Sequence, residues 1–181
     1  MDIKETYLKG CFVISPKIIE DERGYFFECF NYKLFNKITR TTNTFVQDNQ
    51  SKSSRGVLRG MHYQVGEHAQ AKLVRVIKGK VLDVCLDIRK DSSTFGKYLS
   101  IILDDVENKQ LYIPRGFAHG FLVLEDETIF SYKCDNYYYK DSERGILYKD
   151  PTIKIDWNFP DEEIILSEKD KHLPTFETVF K

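Results

Sequence analysis

The sequence predicts an all-β protein, an antiparallel sandwich or barrel, and three observations carry that prediction. Short apolar or alternating runs recur at turn-punctuated spacing with little helical pattern between them. Aromatic residues make up 14% of the chain, with Tyr 11 and Phe 13 against Trp 1, a composition suited to pleated surfaces. In the run 81–88 a period of two puts Leu82, Val84, Leu86 and Ile88 on one face and Val81, Asp83, Cys85 and Asp87 on the other. One face therefore meets a core and the other is mixed.

In chain order, residues 10–15, ended by Pro16, and 24–30 read as strands flanking an acidic turn at Asp21-Glu22-Arg23-Gly24. The stretch 32–38 is the one clear helical candidate, short and moderately periodic. Strands follow at 44–49 and 56–63, separated by a polar loop, 50–55. Runs 73–77 and 81–88 join at Lys78-Gly79-Lys80, where glycine's access to positive φ suits a hairpin turn. Further strands are predicted at 98–103, 110–113, 120–124 and 128–133. From Tyr138 onward irregular structure is expected to wrap the body, with Asp170 in a polar segment compatible with helix.

A length of 181 residues fits one domain, 1–181, with a sizeable core. Lys+Arg 27 against Asp+Glu 28 leaves no global basic field, which argues against a nucleic-acid partner and requires any anion to be held locally. Cys11, Cys29, Cys85 and Cys134 are scattered without a Cys-x-x-Cys pair, so neither a metal knuckle nor a disulfide framework is indicated. No basic start followed by an apolar stretch opens the chain, and no apolar run approaches membrane-spanning length. A cytoplasmic protein with no membrane partner is the expectation.

The chemistry-bearing stretch is Arg59-Gly-Met-His62-Tyr-Gln64 followed by Gln70-Ala-Lys72. A histidine on a β-type run and a lysine a short way downstream place a base and a cation near each other, as needed when a proton leaves carbon beside a carbonyl and charge lands on oxygen. Taken alone, the same residues also fit a half-buried strand histidine and a solvated lysine. Arg59 and His62 would point to opposite faces of a regular strand, so both reach one site only through a bulge near Gly60. A second constellation, Pro114-Arg-Gly116-Phe-Ala-His119-Gly120, reads as a tight turn delivering His119 to a barrel mouth.

Together these two motifs resemble the paired signature of the cupin superfamily, small jelly-roll β-barrels with an internal site. Where metal-binding cupins carry a glutamate this chain has Lys72, and Gln64 stands where a second histidine is common. The resemblance thus implies a metal-free cupin, with His68 in a solvated loop rather than serving as a ligand.

Ordered blocks over nearly the whole chain narrow it further: Asp21-x-Arg23-Gly24-x-Phe26-x-Glu28, Phe45-Val-Gln47-Asp48-Asn49, Leu58-Arg59-Gly60-x-His62-Tyr-Gln64, Gln70-x-Lys72, Asp87-Ile-Arg89, Pro114-x-Gly116-Phe-Ala-His119-Gly120, Tyr132-Lys133 and Leu166-Ser-x-Lys169-Asp170. They resemble the dTDP-4-dehydrorhamnose 3,5-epimerase family. That resemblance implies an isomerase without cofactor, acting on a dTDP-linked 4-keto-6-deoxy sugar in the supply of activated rhamnose for cell-surface glycans such as lipopolysaccharide.

By the same resemblance His62 is the base, Asp170 orients its ring, Lys72 stabilises the enolate oxygen and Tyr132 returns a proton at carbon 5. Arg23, Arg59, Gln47 and Asn49 match diphosphate-binding positions, Phe26 and Glu28 lie near the nucleotide, Tyr138 stacks on the base and His119 helps position the sugar. It implies a homodimer whose N-terminal strands pack on the partner, with Arg23 and Glu28 serving the neighbouring site. A mono-epimerase on a related 4-keto sugar, a metal-dependent cupin enzyme and a non-catalytic sugar-binding cupin are the competing readings.

Overall fold

The computed structural model describes all residues, Met1–Lys181. The first half contains strands β1 Asp2–Glu5, β2 Phe12–Ser15, β3 Ile19–Asp21 and β4 Gly24–Phe26, helix α1 Tyr32–Thr39, and strands β5 Gln47–Ser53, β6 Leu58–Gln64, β7 Lys72–Lys78 and β8 Lys80–Asp87. The second half adds β9 Tyr98–Asp104, β10 Gln110–Ile113, β11 Phe117–Val123, β12 Thr128–Cys134 and β13 Glu143–Gly145, then helices α2 Glu168–Lys171 and α3 Phe176–Phe180. No helix is long and apolar enough to cross a membrane.

Two antiparallel sheets, ordered β1-β2-β10-β7-β12-β5 and β13-β6-β11-β8-β9, face each other, and β3 and β4 form a separate two-stranded ribbon. This is the cupin-type jelly-roll barrel expected from the sequence. Alternation along the strands sorts the side chains. Val74 and Val76 of β7, Val81 and Cys85 of β8, Phe121 of β11 and Phe130 of β12 meet between the sheets. Leu82, Val84 and Leu86 point outward, where Trp157, Phe176 and other residues of the C-terminal wrap cover them. Phe12, Leu73 and Tyr112 on the outer face of the other sheet are covered by Phe35 of α1. Both faces of β8 are therefore buried, not one as the alternation suggested.

Helix α1 starts at Asn31, whose side-chain oxygen accepts from the Leu34 N–H, and ends at Arg40 in the left-handed conformation.

Four boundaries differ from the sequence prediction. Strands β7 and β8 do not pair: β7 lies between β10 and β12, β8 between β9 and β11, so Gly79 is a corner where the chain passes from one sheet to the other. Its φ of +86° still needs glycine, and the Asp105 carboxylate accepts from its N–H at 2.9 Å. The predicted polar loop 50–55 is largely strand, since β5 continues to Ser53 against β12. Strand β11 begins at Phe117, which puts His119 inside the strand and not on the preceding turn. The acidic turn 21–24 does join a hairpin, but its first strand is β3 and not the run 10–15, which pairs with β1 and β10.

The predicted irregularity near Gly60 is present. His119 pairs with His62 and Phe121 with Arg59, so the single residue Gly120 lies opposite both Gly60 and Met61. Gly60 has φ +135°, and a Cβ there would strike the Gly120 Cα and come within 2.9 Å of the His119 carbonyl oxygen. These neighbours are backbone and cannot swing aside. Gly60→Ala is expected to destabilise the fold by about 2 kcal/mol or more, read as a lowered midpoint in urea unfolding; an unchanged midpoint would show that the close approach is not required.

Candidate active site

The extra residue in β6 reverses the side-chain parity between Arg59 and His62, so both line one cavity of about 460 Å³ at the barrel mouth. Lys72 reaches the same cavity from β7, Tyr132 from β12, His119 from β11 and Asp170 from α2. Six residues from five elements thus converge on one cavity. No group of three His, Cys, Asp or Glu side chains is placed to hold a metal ion, and Lys72 puts an ammonium in the cavity.

His62 and Asp170 are in direct contact there, Nε2 to Oδ1 at 2.6 Å. Asp170 is almost fully enclosed whereas the imidazole keeps a partly open edge, with side-chain exposures of 4% and 27%. Burial pushes the Asp170 carboxyl up, but the His62 hydrogen bond and charge, helped by the Gly60 N–H and Ser167, outweigh it and hold the group below its ordinary value. The ionised carboxylate accepts from the Nε2–H of His62, which leaves Nδ1 as the basic nitrogen. Ser167 sets the carboxylate's place by capping α2, its hydroxyl accepting from the Asp170 N–H at 3.2 Å.

Lys72 and Tyr132 come from neighbouring strands of the opposite sheet, with the ammonium 5.8 Å from the phenol ring centroid. Burial lowers the Lys72 pKa, while Cys134, Asp83 and Glu143 act in the other direction and favour the ammonium. Burial and the nearby Cys134 raise the Tyr132 pKa, so its phenol stays protonated at neutral pH despite the opposing effect of Arg59. His119 Nε2 lies 2.9 Å from Asp83 Oδ2, with His119 6% and Asp83 0% exposed. Burial depresses the His119 pKa, Asp83 opposes that, and the positive charges of Lys72 and His62 add to it.

The nucleotide-side residues are less gathered. Gln47 and Asn49 sit on the same face of β5 as Ser51, which lines the cavity, and bond to each other at 3.0 Å. Arg59 donates from Nε and Nη2 to the Ser53 hydroxyl at 3.3 and 3.2 Å. Tyr138 is half-exposed near the mouth, its N–H donating to Gln47 and its hydroxyl to Glu143. Arg23, Phe26 and Glu28 lie outside this chain's cavity. Arg23 closes the β3–β4 turn onto Asp21, Phe26 is 69% exposed and so is not core, and Glu28 accepts from Asn31. His68, expected to be solvated, is instead half-buried and stacks on Tyr139 at 4.3 Å.

Several residues at the site received no role from the sequence. Asp83 was visible as an acid interrupting the apolar pattern of β8, and that break in alternation was its signal. Ser53 and Glu143 lie in polar stretches that carry no pattern. Lys169, which lines the cavity and pairs with Glu143, stood in a block shared with the family but with no role assigned to it.

Fold and site define a class first: a cupin-type barrel enclosing a histidine–carboxylate pair, a lysine and an opposed tyrosine. This chain belongs to the dTDP-4-dehydrorhamnose 3,5-epimerase family, whose model matches residues 5–178. It is 49% identical over 170 residues to the dTDP-4-dehydrorhamnose 3,5-epimerase of Shigella flexneri, covering 94% of this chain and 93% of the relative. Its structure superposes on the dTDP-4-dehydrorhamnose 3,5-epimerase of Elizabethkingia anophelis with TM-score 0.96 at 50% identity, covering 100% and 99% of the two chains. It also superposes on the dTDP-6-deoxy-D-glucose-3,5-epimerase of Legionella pneumophila, in complex with dTDP-4-keto-L-rhamnose, with TM-score 0.94 at 44% identity over 98% and 94%.

The Asp170 carboxyl is held below its ordinary value of 3.8, so its contribution to stability is complete above that pH and is lost as pH falls through the lower folded-state value. Asp170→Asn is expected to remove that contribution. Urea unfolding followed from pH 6 downward should show a shallower acid loss of stability in the variant; parallel curves would mean that the pair does not favour the ionised carboxylate.

Proposed function

We propose that this protein inverts carbons 3 and 5 of dTDP-4-dehydro-6-deoxy-D-glucose to give dTDP-4-dehydro-L-rhamnose, using side chains alone. The observation that carries the reading is the His62–Asp170 pair at 2.6 Å facing the cavity that Lys72 and Tyr132 enter from the opposite sheet. The 4-ketone acidifies the hydrogens on carbons 3 and 5. His62 takes a proton from one face, and Asp170 stabilises the imidazolium that results. The electron pair moves onto the ketone oxygen, where the Lys72 ammonium holds the developing charge. Tyr132, with its phenol kept protonated by burial, returns a proton to carbon 5 from the other face and so inverts it, while at carbon 3 the returning proton comes from solvent water entering the open mouth.

Arg59, steadied by Ser53, faces the cavity from β6 and would bind the diphosphate, with Gln47 and Asn49 beside it. Tyr138 would take the base at the mouth, and His119 would hold a sugar hydroxyl. That a relative at 44% identity holds dTDP-4-keto-L-rhamnose supports the substrate class. The β3–β4 ribbon exposes Ile19, Tyr25 and Phe26 at 55%, 59% and 69%. An apolar surface of this kind suits burial against a second copy, bringing Arg23 and Glu28 to the neighbour's site in a cytoplasmic homodimer.

Proton NMR of dTDP-4-keto-6-deoxyglucose incubated with the protein in deuterated water tests the reaction directly. Loss of both the carbon 3 and carbon 5 signals is expected. His62→Ala should slow both by about 10²-fold or more, and Lys72→Met by about 10²–10³-fold. Tyr132→Phe should chiefly impair inversion at carbon 5. Exchange at one carbon alone would make the protein a mono-epimerase, and no exchange by folded protein would rule out this substrate.

A further inference from the structure

The fold sorts the cysteines that the sequence scatters. Cys29 Sγ accepts from the Arg75 guanidinium at 3.2 Å, and Cys134 Sγ accepts from the Asn49 amide at 3.7 Å. Cys11 and Cys85 instead face each other, sulfur to sulfur at 3.7 Å, although 74 positions separate them in the chain. Cys11 ends the loop between β1 and β2 of the six-stranded sheet, and Cys85 lies in β8 of the five-stranded sheet. The pair therefore spans the two layers. Both thiols are 0% exposed and pack with Leu8 in the core between the sheets, and neither lines the cavity of the candidate active site.

The cover over this pair is thin. Strand β1 is an edge strand that pairs with β2 alone, and its residues are mostly exposed. Within the loop that follows it, the Thr6 N–H donates to the Cys11 carbonyl at 2.8 Å and the Cys11 N–H to the Leu8 carbonyl at 2.9 Å. The loop is tied to the barrel by Arg89, which donates to the Lys9 carbonyl at 3.0 Å, by the Tyr7 hydroxyl, which donates to the Tyr98 carbonyl, and by the buried Leu8 side chain. Tyr7, Tyr98 and Leu99 line a cleft of about 560 Å³ beside it, and Leu99 is the residue opposite Cys85 in the β8–β9 pairing. Opening an edge loop of this kind takes less free energy than unfolding the barrel.

We propose that Cys11 and Cys85 are a latent dithiol that hydrogen peroxide converts to a disulfide, stapling the β1–β2 loop to β8 and one sheet to the other. Sulfurs in a disulfide lie about 2.05 Å apart, so closure asks for an approach of roughly 1.6 Å, and Cys11, at the end of a loop, is the side that moves. With the loop open, the Cys11 sulfur attacks the peroxide; the O–O bond breaks, leaving a sulfenic acid on Cys11 and releasing one water. When the loop recloses, the Cys85 sulfur attacks the Cys11 sulfur, the S–O bond breaks and a second water leaves. Two thiols have then lost two protons and two electrons to one hydrogen peroxide. The hydrogen bond to Cys11 and then burial hold the Cys85 thiol protonated, which makes Cys11 the residue that meets the oxidant. None of this rests on the epimerase reading.

The test treats the folded protein with hydrogen peroxide, blocks the remaining thiols with iodoacetamide and maps the peptides without reduction. A peptide linking Cys11 to Cys85, separated by dithiothreitol, is expected. Because a crosslink closing so long a loop restricts the unfolded chain, oxidation should raise the urea midpoint of wild type and of Cys29→Ala/Cys134→Ala, but not of Cys11→Ala or Cys85→Ala. Leu8→Ala, which weakens the plug, should speed crosslinking by about tenfold or more. The mapping needs wild type alone, so a variant that fails to fold does not blunt it. Unlinked Cys11 and Cys85 after peroxide, a link made through Cys29 or Cys134 instead, or a Cys11–Cys85 link that forms only in urea would overturn the proposal. An unaltered rate in Leu8→Ala would overturn the loop as the route.

Discussion

The close backbone approach of Gly60 to Gly120 is the constraint on which the arrangement of the site depends. Two residues of β6 facing one of β11 is a local irregularity, and its effect is to turn Arg59 and His62 toward the same cavity. Without it one of them would point into the outer layer among Leu58, Met61 and the C-terminal aromatics. Both partners in the approach must lack a side chain, because a Cβ at Gly120 would meet the Arg59 carbonyl oxygen at 2.9 Å. The same distortion aims the Gly60 N–H at Asp170, at 3.5 Å, so backbone geometry and the orienting carboxylate are linked.

A barrel interior is a poor place for charge unless the charges answer one another. Here each cavity histidine has a carboxylate beside it, and of these charges only Lys72 comes from the opposite sheet. His62 is matched by Asp170, His119 by Asp83, and Lys72 lies within the influence of Asp83 and Glu143. Packing of Phe121 on Phe130, with ring centroids 4.0 Å apart, closes the deep end and leaves the polar groups facing the mouth. A cation held in so enclosed a space is preorganised for a developing oxyanion, which is the electrostatic requirement of enolate chemistry.

Most strands were legible because their apolar alternation records burial on both sides of the sheets. Strand β5 was not, since Gln47-Asp-Asn-Gln-Ser-Lys-Ser53 has no apolar residue: its inward face borders a polar cavity and its outward face is open. The Lys78-Gly79-Lys80 step misled for a different reason. Positive φ at glycine serves a hairpin and a corner between sheets equally well, and only long-range pairing distinguishes them. At the site, His62 and Lys72 could be suspected from local pattern and the bulge from the parity conflict with Arg59. Tyr132 and Asp170 could be chosen only through likeness to known sequences, because a tyrosine on a strand and an aspartate in a charged segment carry no local mark of proximity to His62. Asp83 left a mark as an acid within an apolar strand, but that its partner is His119, like the pairing of Glu143 with Lys169, no spacing along the chain reveals.

In the proposed reaction Asp170 orients the base His62 and stabilises its charged form, and does not bind substrate. Single-turnover measurement of deuterium entry at carbon 5 of the bound sugar, for wild type and Asp170→Asn, tests it most directly, with the Kd for dTDP measured alongside. The account predicts a loss of exchange rate on the order of 10²–10⁴-fold with dTDP affinity nearly unchanged, as expected when a histidine base loses its orienting carboxylate. Undiminished exchange in the variant, or a loss explained wholly by weaker dTDP binding, would contradict it.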